Sequence, residues 1–144
     1  MTGLQIFGVP GLPEIVEGTD LAAAILASAA AAGTPLADGD VVVVTSKIVS
    51  KAEGRTVELD QVVPSPFAVE WSAQWEKDPA VTEIVLRESK RVVRQIGPIL
   101  ITETHHGFVC ANSGVDQSSS GAHGRAVLLP VDPDGSARAI RSGL

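Results

Sequence analysis

Residues 105–119, HHGFVCANSGVDQSS, gather two histidines, the only cysteine of the chain, an asparagine, an aspartate and three serines. A metal centre, a nucleophile and a plain polar loop are all open to such a set. His105 and His106 are adjacent, so in an extended segment their side chains point to opposite faces and cannot share one ion. Cys110 follows His106 by four positions without the C-x-x-C or H-x-x-x-H pairs that zinc sites use. Nothing in the sequence marks that thiol as an activated nucleophile. Asp116 is different. It lies between Ser113-Gly114-Val115 and Ser118, Ser119 and Gly121, in a loop leaving a strand. A carboxylate beside hydroxyls suits Mg2+ or Mn2+, which take oxygen ligands and share them with phosphate and water. An Asx-type turn, in which the carboxylate bonds its own backbone, explains the same residues and is the simpler account.

A second stretch, VVVVTSKIVSK (residues 41–51), runs an apolar segment into Thr45, Ser46 and Lys47 at a helix start. Free N–H groups, hydroxyls and an ammonium together make an anion site. Lys47, Lys51 and Arg55 place three positive charges within nine residues. The glycines of a phosphate-binding loop are missing, so this is no Walker sequence. A capped helix with solvated lysines accounts for it as well. A third set, Phe67, Trp71 and Trp75 at four-residue spacing, predicts one stripe of a helix, the mark of core or subunit interface.

The elements that must carry these residues follow from pattern. LQIFGVP (4–10) reads as a strand. A helix is predicted from about Asp20 to Ala32, capped by Thr19 or Gly18 and stopped by Gly33. Four consecutive valines predict a strand buried on both faces. After it Thr45 and Ser46 are natural N-caps, Ile48, Val49 and Ala52 suit a short helix before Gly54, and RTVEL reads as a strand. Ser65-Pro66 and Asp78-Pro79 are matched helix starts, a capping residue followed by proline. Arg87, Lys90, Arg91 and Arg94 are expected at the end of the second of these helices, where cations meet its negative pole. RVVRQIG, PILITET, GFVCAN and AVLLPV read as strands. A last helix follows the Asp132–Ser136 cap and carries Arg138 and Arg141. Helices and strands mix without a strict βαβ period, which predicts an α+β or irregular α/β fold, a mixed sheet with flanking helices in a single domain over residues 1–144.

Bulk properties bound the partners. At 44% hydrophobic and 19% charged residues the chain is an ordinary globular one, and 3% aromatics leave Val, Leu, Ile and Ala to build the core. A net charge of −6 argues against nonspecific nucleic-acid binding, which needs a basic face. No run is long enough to span a membrane and no signal pattern opens the chain. One cysteine excludes an internal disulfide and fits a cytoplasmic setting.

Taken in order, LPEI, DGDVVVVTSKIVSKAEGR, HGFVCANSGVDQS and LLPVDPDGSARAIR resemble the coenzyme F-420 gamma-glutamyl ligase family, over blocks that reach from Leu12 to Arg141. The resemblance implies a cytoplasmic, homodimeric enzyme that uses GTP to join L-glutamate to the lactyl carboxylate of the coenzyme F-420 precursor through an acyl phosphate, and then adds gamma-linked glutamates. It implies GTP contacts at Leu12, Pro13, Glu14, Ile15, Ser46 and Lys51, with Lys51 the catalytic cation. It also implies a divalent cation, Mg2+ or Mn2+, on Asp116, and K+ as a further ion. Two departures stand out. The family carries asparagine at a GTP-contacting position that is Ser119 here. Its members also continue for about as much chain again, with a second acidic metal-binding pair, so these residues correspond to the N-terminal portion. A noncatalytic GTP- and metal-binding fragment needing a partner chain is the alternative.

Overall fold

The computed structural model describes residues 3–117 and 124–144. Among the described residues five helices and two antiparallel sheets give the α+β class expected, although the sheets are two and purely antiparallel where one mixed sheet was predicted. The chain divides into two compact units, Met1–Gly54 with Pro130–Leu144, and Arg55–Leu129. No helix among the described residues is long and apolar enough to cross a membrane.

The first unit holds α1 (Leu21–Ala31), α2 (Ser46–Ala52) and α5 (Pro133–Gly143). Asp20 caps α1 by accepting the Ala23 N–H at 3.0 Å, so the carboxylate expected inside the first turn is the cap itself. Asp132 caps α5 in the same way through Gly135 N–H. Ile15, Leu21 and Val49 form the buried centre, with Val44, Ile48, Ala52 and Ile140 packed around them.

Neither strand predicted for this unit is present among the described residues. Leu4 and Ile6 are 88% and 84% exposed, and Val41 and Val43 each 88%. An apolar run becomes a strand only when a second chain segment accepts its N–H and C=O groups. Residues 41–44 make no main-chain hydrogen bond among the described residues. The valines do alternate, Val42 and Val44 half-buried against Val41 and Val43 exposed, so the run has one inward face and not the two predicted.

In the second unit, β1 (Thr56–Glu58) pairs β5 (Arg125–Val127), and β2 (Ser89–Ile96), β3 (Ile99–Thr104) and β4 (Val109–Ala111) form an antiparallel meander. The helices α3 (Pro66–Trp75) and α4 (Pro79–Arg87) begin as predicted, with Ser65 and Asp78 capping through Ala68 and Ala80 N–H and proline in the first turn. Leu59, Ala80, Ile84, Ala126 and Leu128 make one core cluster, and Trp71, Val85 and Leu100 another. Of the aromatic stripe only Trp71 is buried; Phe67 is 55% exposed and Trp75 37%. The cations expected together at the end of α4 are split. Arg87 sits in its last turn, while Lys90, Arg91 and Arg94 lie on β2, where Arg91 and Lys90 pair with Glu103.

Candidate functional site

The candidate residues of the first unit are collected by its core. Ile15 is buried against Val49 of α2, so its side chain is a packing group and only its main chain is available to a ligand. Leu12 is half-buried, and Pro13 and Glu14 are exposed. Gly18 N–H donates to the Ala52 carbonyl at 2.8 Å, tying the segment after residues 12–15 to the end of the same helix. The loop is thereby seated beside the element that carries Ser46 and Lys51.

Five positions separate Ser46 from Lys51 on α2, which places them about 140° apart around the axis and about 7.5 Å apart along it. They cannot close on one atom, but they can hold different parts of an elongated ligand. Ser46 is exposed on the wall of a cleft of about 950 Å3, shared with Val42, Val44, Val49, Pro133 and Ile140; Lys51 and residues 12–15 are not among the described residues lining it. Ser50, on the turn between them, is 1% exposed and spends its hydroxyl on the Ser46 carbonyl at 2.8 Å, which fixes the first turn.

Lys51 is half-buried, and its ammonium makes no hydrogen bond or ion pair with any described residue. Arg55, grouped with it on sequence spacing, is otherwise engaged. Its guanidinium binds Glu88 at 2.8 Å and the Leu129 carbonyl at 3.0 Å within the second unit. The three-cation cluster is therefore not what the fold builds. Gly54 closes α2 with φ 67° and its N–H on the Lys51 carbonyl at 3.1 Å. A Cβ there would meet the Glu17 carboxylate, which a flexible exposed side chain can move away, so it is the left-handed backbone that calls for glycine.

Asp116 belongs to the second unit. Its N–H donates to the Val127 carbonyl at 3.0 Å and its carbonyl accepts from Val127 N–H at 2.8 Å, an isolated antiparallel bridge beside β5. The residue is half-buried. Among the described residues no three His, Cys, Asp or Glu side chains come together as a metal cage. A single carboxylate on a held main chain fits a hard cation that draws most of its oxygens from phosphate and water, and does not fit a closed zinc site. One residue before it, Asn112, Ser113 and Gly114 turn through three successive left-handed conformations, φ 51°, 54° and 69°. That turn is not visible in the residue pattern beyond the Asn-Ser-Gly triplet itself.

His105 and His106 lie in the β3–β4 connection. His105 Nε2 lies 2.9 Å from the Arg87 carbonyl, and His106 stacks on Phe108 with ring centroids 5.8 Å apart. Cys110 is half-buried on β4. Ser119, expected to contact nucleotide, lies outside the described residues.

Residues 11–144 match the family described as F420-0:gamma-glutamyl ligase. Similar over most of the chain are three proteins named coenzyme F420:L-glutamate ligase. That of Methanothermobacter thermautotrophicus is 42% identical over 138 residues, 96% of this chain and 54% of the relative. That of Methanopyrus kandleri is 44% identical over 142 residues, 98% and 54%. That of Halobacterium salinarum is 42% identical over 147 aligned positions, 98% and 55%. The chain thus spans about half the length of the curated relatives it matches. With a match running through nearly all of its residues, the chain belongs to the F420-0:gamma-glutamyl ligase family.

Proposed function

We propose that this chain carries GTP- and cation-binding residues of a ligase that joins L-glutamate to the lactyl carboxylate of the coenzyme F-420 precursor and then extends it through gamma linkages. The relatives' shared name supports the amide chemistry. The observation that carries the nucleotide part is Lys51, a half-buried residue whose ammonium has no partner among the described residues, on the helix that Ser46 opens. An ammonium that no protein group occupies is open to a phosphate oxygen.

In the proposed reaction an oxygen of the lactyl carboxylate attacks the γ-phosphorus of GTP. The bond to the β–γ bridging oxygen breaks and GDP leaves with its electron pair, giving an acyl phosphate. The glutamate amine then adds to the acyl carbon, inorganic phosphate departs and the nitrogen loses a proton. The first step brings two anions together, so Lys51 lowers the barrier by countering phosphate charge. The exposed Ser46 and the loop of Leu12, Pro13, Glu14 and Ile15 orient the nucleotide, Ile15 through its main chain alone. Asp116 would hold Mg2+ or Mn2+, which when bound neutralises phosphate oxygens; K+ is a further candidate ion.

The test is turnover. Protein supplied with GTP, glutamate and the coenzyme precursor is expected to release GDP and phosphate in step with amide formed, and Lys51→Ala to abolish this. Wild-type turnover in the variant would refute the role of Lys51. A second reading is favoured by the coverage of about half of each relative: the chain binds nucleotide and cation, and chemistry needs a partner chain. GTP binding without turnover is its signature.

A further inference from the structure

Three successive residues before Asp116 hold the left-handed conformation, and two of them, Asn112 and Ser113, are not glycine. Such a turn is unfavourable for L-residues and persists only when its surroundings over-determine it. Here they do. Thr102 and Ser113 are 0% and 1% exposed. Ser113 N–H donates to Thr102 Oγ1 at 2.9 Å, the two hydroxyl oxygens are 2.8 Å apart, and Ser113 Oγ lies 2.9 Å from the Val85 carbonyl. A carbonyl only accepts, so the Ser113 hydroxyl gives its proton to Val85. The Thr102 hydroxyl then gives its own to Ser113 at 2.8 Å in preference to the Cys110 carbonyl at 3.4 Å, and every buried polar atom of the pair is satisfied.

Asn112 is fastened too, its Oδ1 accepting Leu100 N–H at 3.3 Å and its carbonyl accepting Val115 N–H at 2.9 Å. On the other side, a Cβ on Gly114 would stand 3.0 Å from the Leu129 side chain. The turn is therefore clamped between β3 and α4 on one flank and the chain after β5 on the other. The next residue but one is Asp116, bridged to Val127.

We propose that Thr102 and Ser113 are positioning residues for Asp116: their hydroxyl relay holds the left-handed turn that sets the Asp116–Val127 bridge, and with it the placement of the carboxylate. The inference rests on the reading of Asp116 as the cation ligand. Its physical basis is that groups behind a metal ligand fix the ligand's orientation.

The test uses the 144-residue protein and four variants. Thr102→Val removes the hydroxyl at constant shape, and Thr102→Ser restores it. Ser113→Gly keeps the left-handed backbone without the hydroxyl, and serves if Thr102→Val does not fold. Thr82→Val is the control, because it breaks a second buried hydroxyl pair among the described residues of the same unit, Ser72 Oγ to Thr82 Oγ1 at 2.7 Å. Amide hydrogen exchange at Asp116 and Val127 is read without metal, and Mn2+ affinity by its effect on water relaxation.

Thr102→Val and Ser113→Gly are expected to speed exchange at both amides and weaken Mn2+ binding, each by about tenfold or more. Thr102→Ser should stay within about twofold of wild type, and Thr82→Val should lower stability while leaving both readouts in place. Exchange at Asp116 and Val127 no faster in Thr102→Val and Ser113→Gly than in Thr82→Val overturns the proposal. So does unchanged Mn2+ affinity in those variants when Asp116→Ala abolishes binding. If Asp116→Ala binds Mn2+ like wild type, the metal reading is what fails, and exchange alone decides the relay.

Discussion

Lys51 and Arg55 are four residues apart in one block, yet their charges meet different fates. The planar guanidinium of Arg55 reaches a carboxylate and a carbonyl together and is consumed in holding the second unit. The ammonium of Lys51 has no such partner among the described residues. Residue spacing presents them as one cluster, and only the fold separates them, because pairing depends on where Glu88 and Leu129 arrive. Ile15 makes the same point from the other side, since the LPEI block is recognisable in the sequence while the burial of one member is not. The sequence singles out Asp116 by its neighbours, but not the left-handed turn two residues before it. For Asp116→Ala the expectation is loss of most Mn2+ binding, a rise in dissociation constant of about tenfold or more, measured by calorimetry. Binding equal to wild type would remove the carboxylate from the metal site.

The helices were readable because their signals are local. Ser65-Pro66 and Asp78-Pro79 each combine a capping oxygen with a residue that needs no amide donor, and both helices start there. The strands at 4–10 and 41–44 were not, because a strand is completed by a partner segment that no local pattern names. What joins α3 to α4 was equally hidden. Glu83 of α4 accepts the Ser65 N–H at the cap of α3 at 2.9 Å and Arg87 Nε at 2.8 Å. Bonding from Ser65, side chain first and then main chain, with help from Arg87, holds Glu83 below the usual carboxylate range against the opposing effect of burial. A lowered folded pKa means stability that is fully present above the unfolded value of about 4.3 and is lost as pH falls through the folded one. Urea unfolding should therefore show the protein losing stability below about pH 4.3. Glu83→Gln should cost about 1–2 kcal/mol at pH 7 and flatten this acid dependence. An unaltered pH profile in the variant would show that the cap junction is not where the acid sensitivity resides.

Across the molecule, family membership and fold class were within reach of the sequence, while the division into two compact units was not. A net charge of −6 makes a local cation the more telling, since an anionic nucleotide approaching an acidic protein must be met by specific groups and not by the overall field. Catalytic turnover is a demanding test of that idea in a chain about half the length of its relatives, because it fails if any required group lies elsewhere. Ligand linkage is less demanding. A nucleotide that binds only the folded state stabilises it by about 2.7 kcal/mol at a hundredfold excess over its dissociation constant. For a chain of this size that is a rise in melting temperature of about 5–10 °C. GTP with Mg2+ is expected to produce such a rise in the wild type, and Lys51→Ala to lose most of it while melting normally without ligand. Thermal unfolding followed by circular dichroism measures both. No rise in the wild type at millimolar GTP would sink the nucleotide reading outright, for the ligase and for the binding fragment alike, because each requires the folded chain to prefer GTP over solvent.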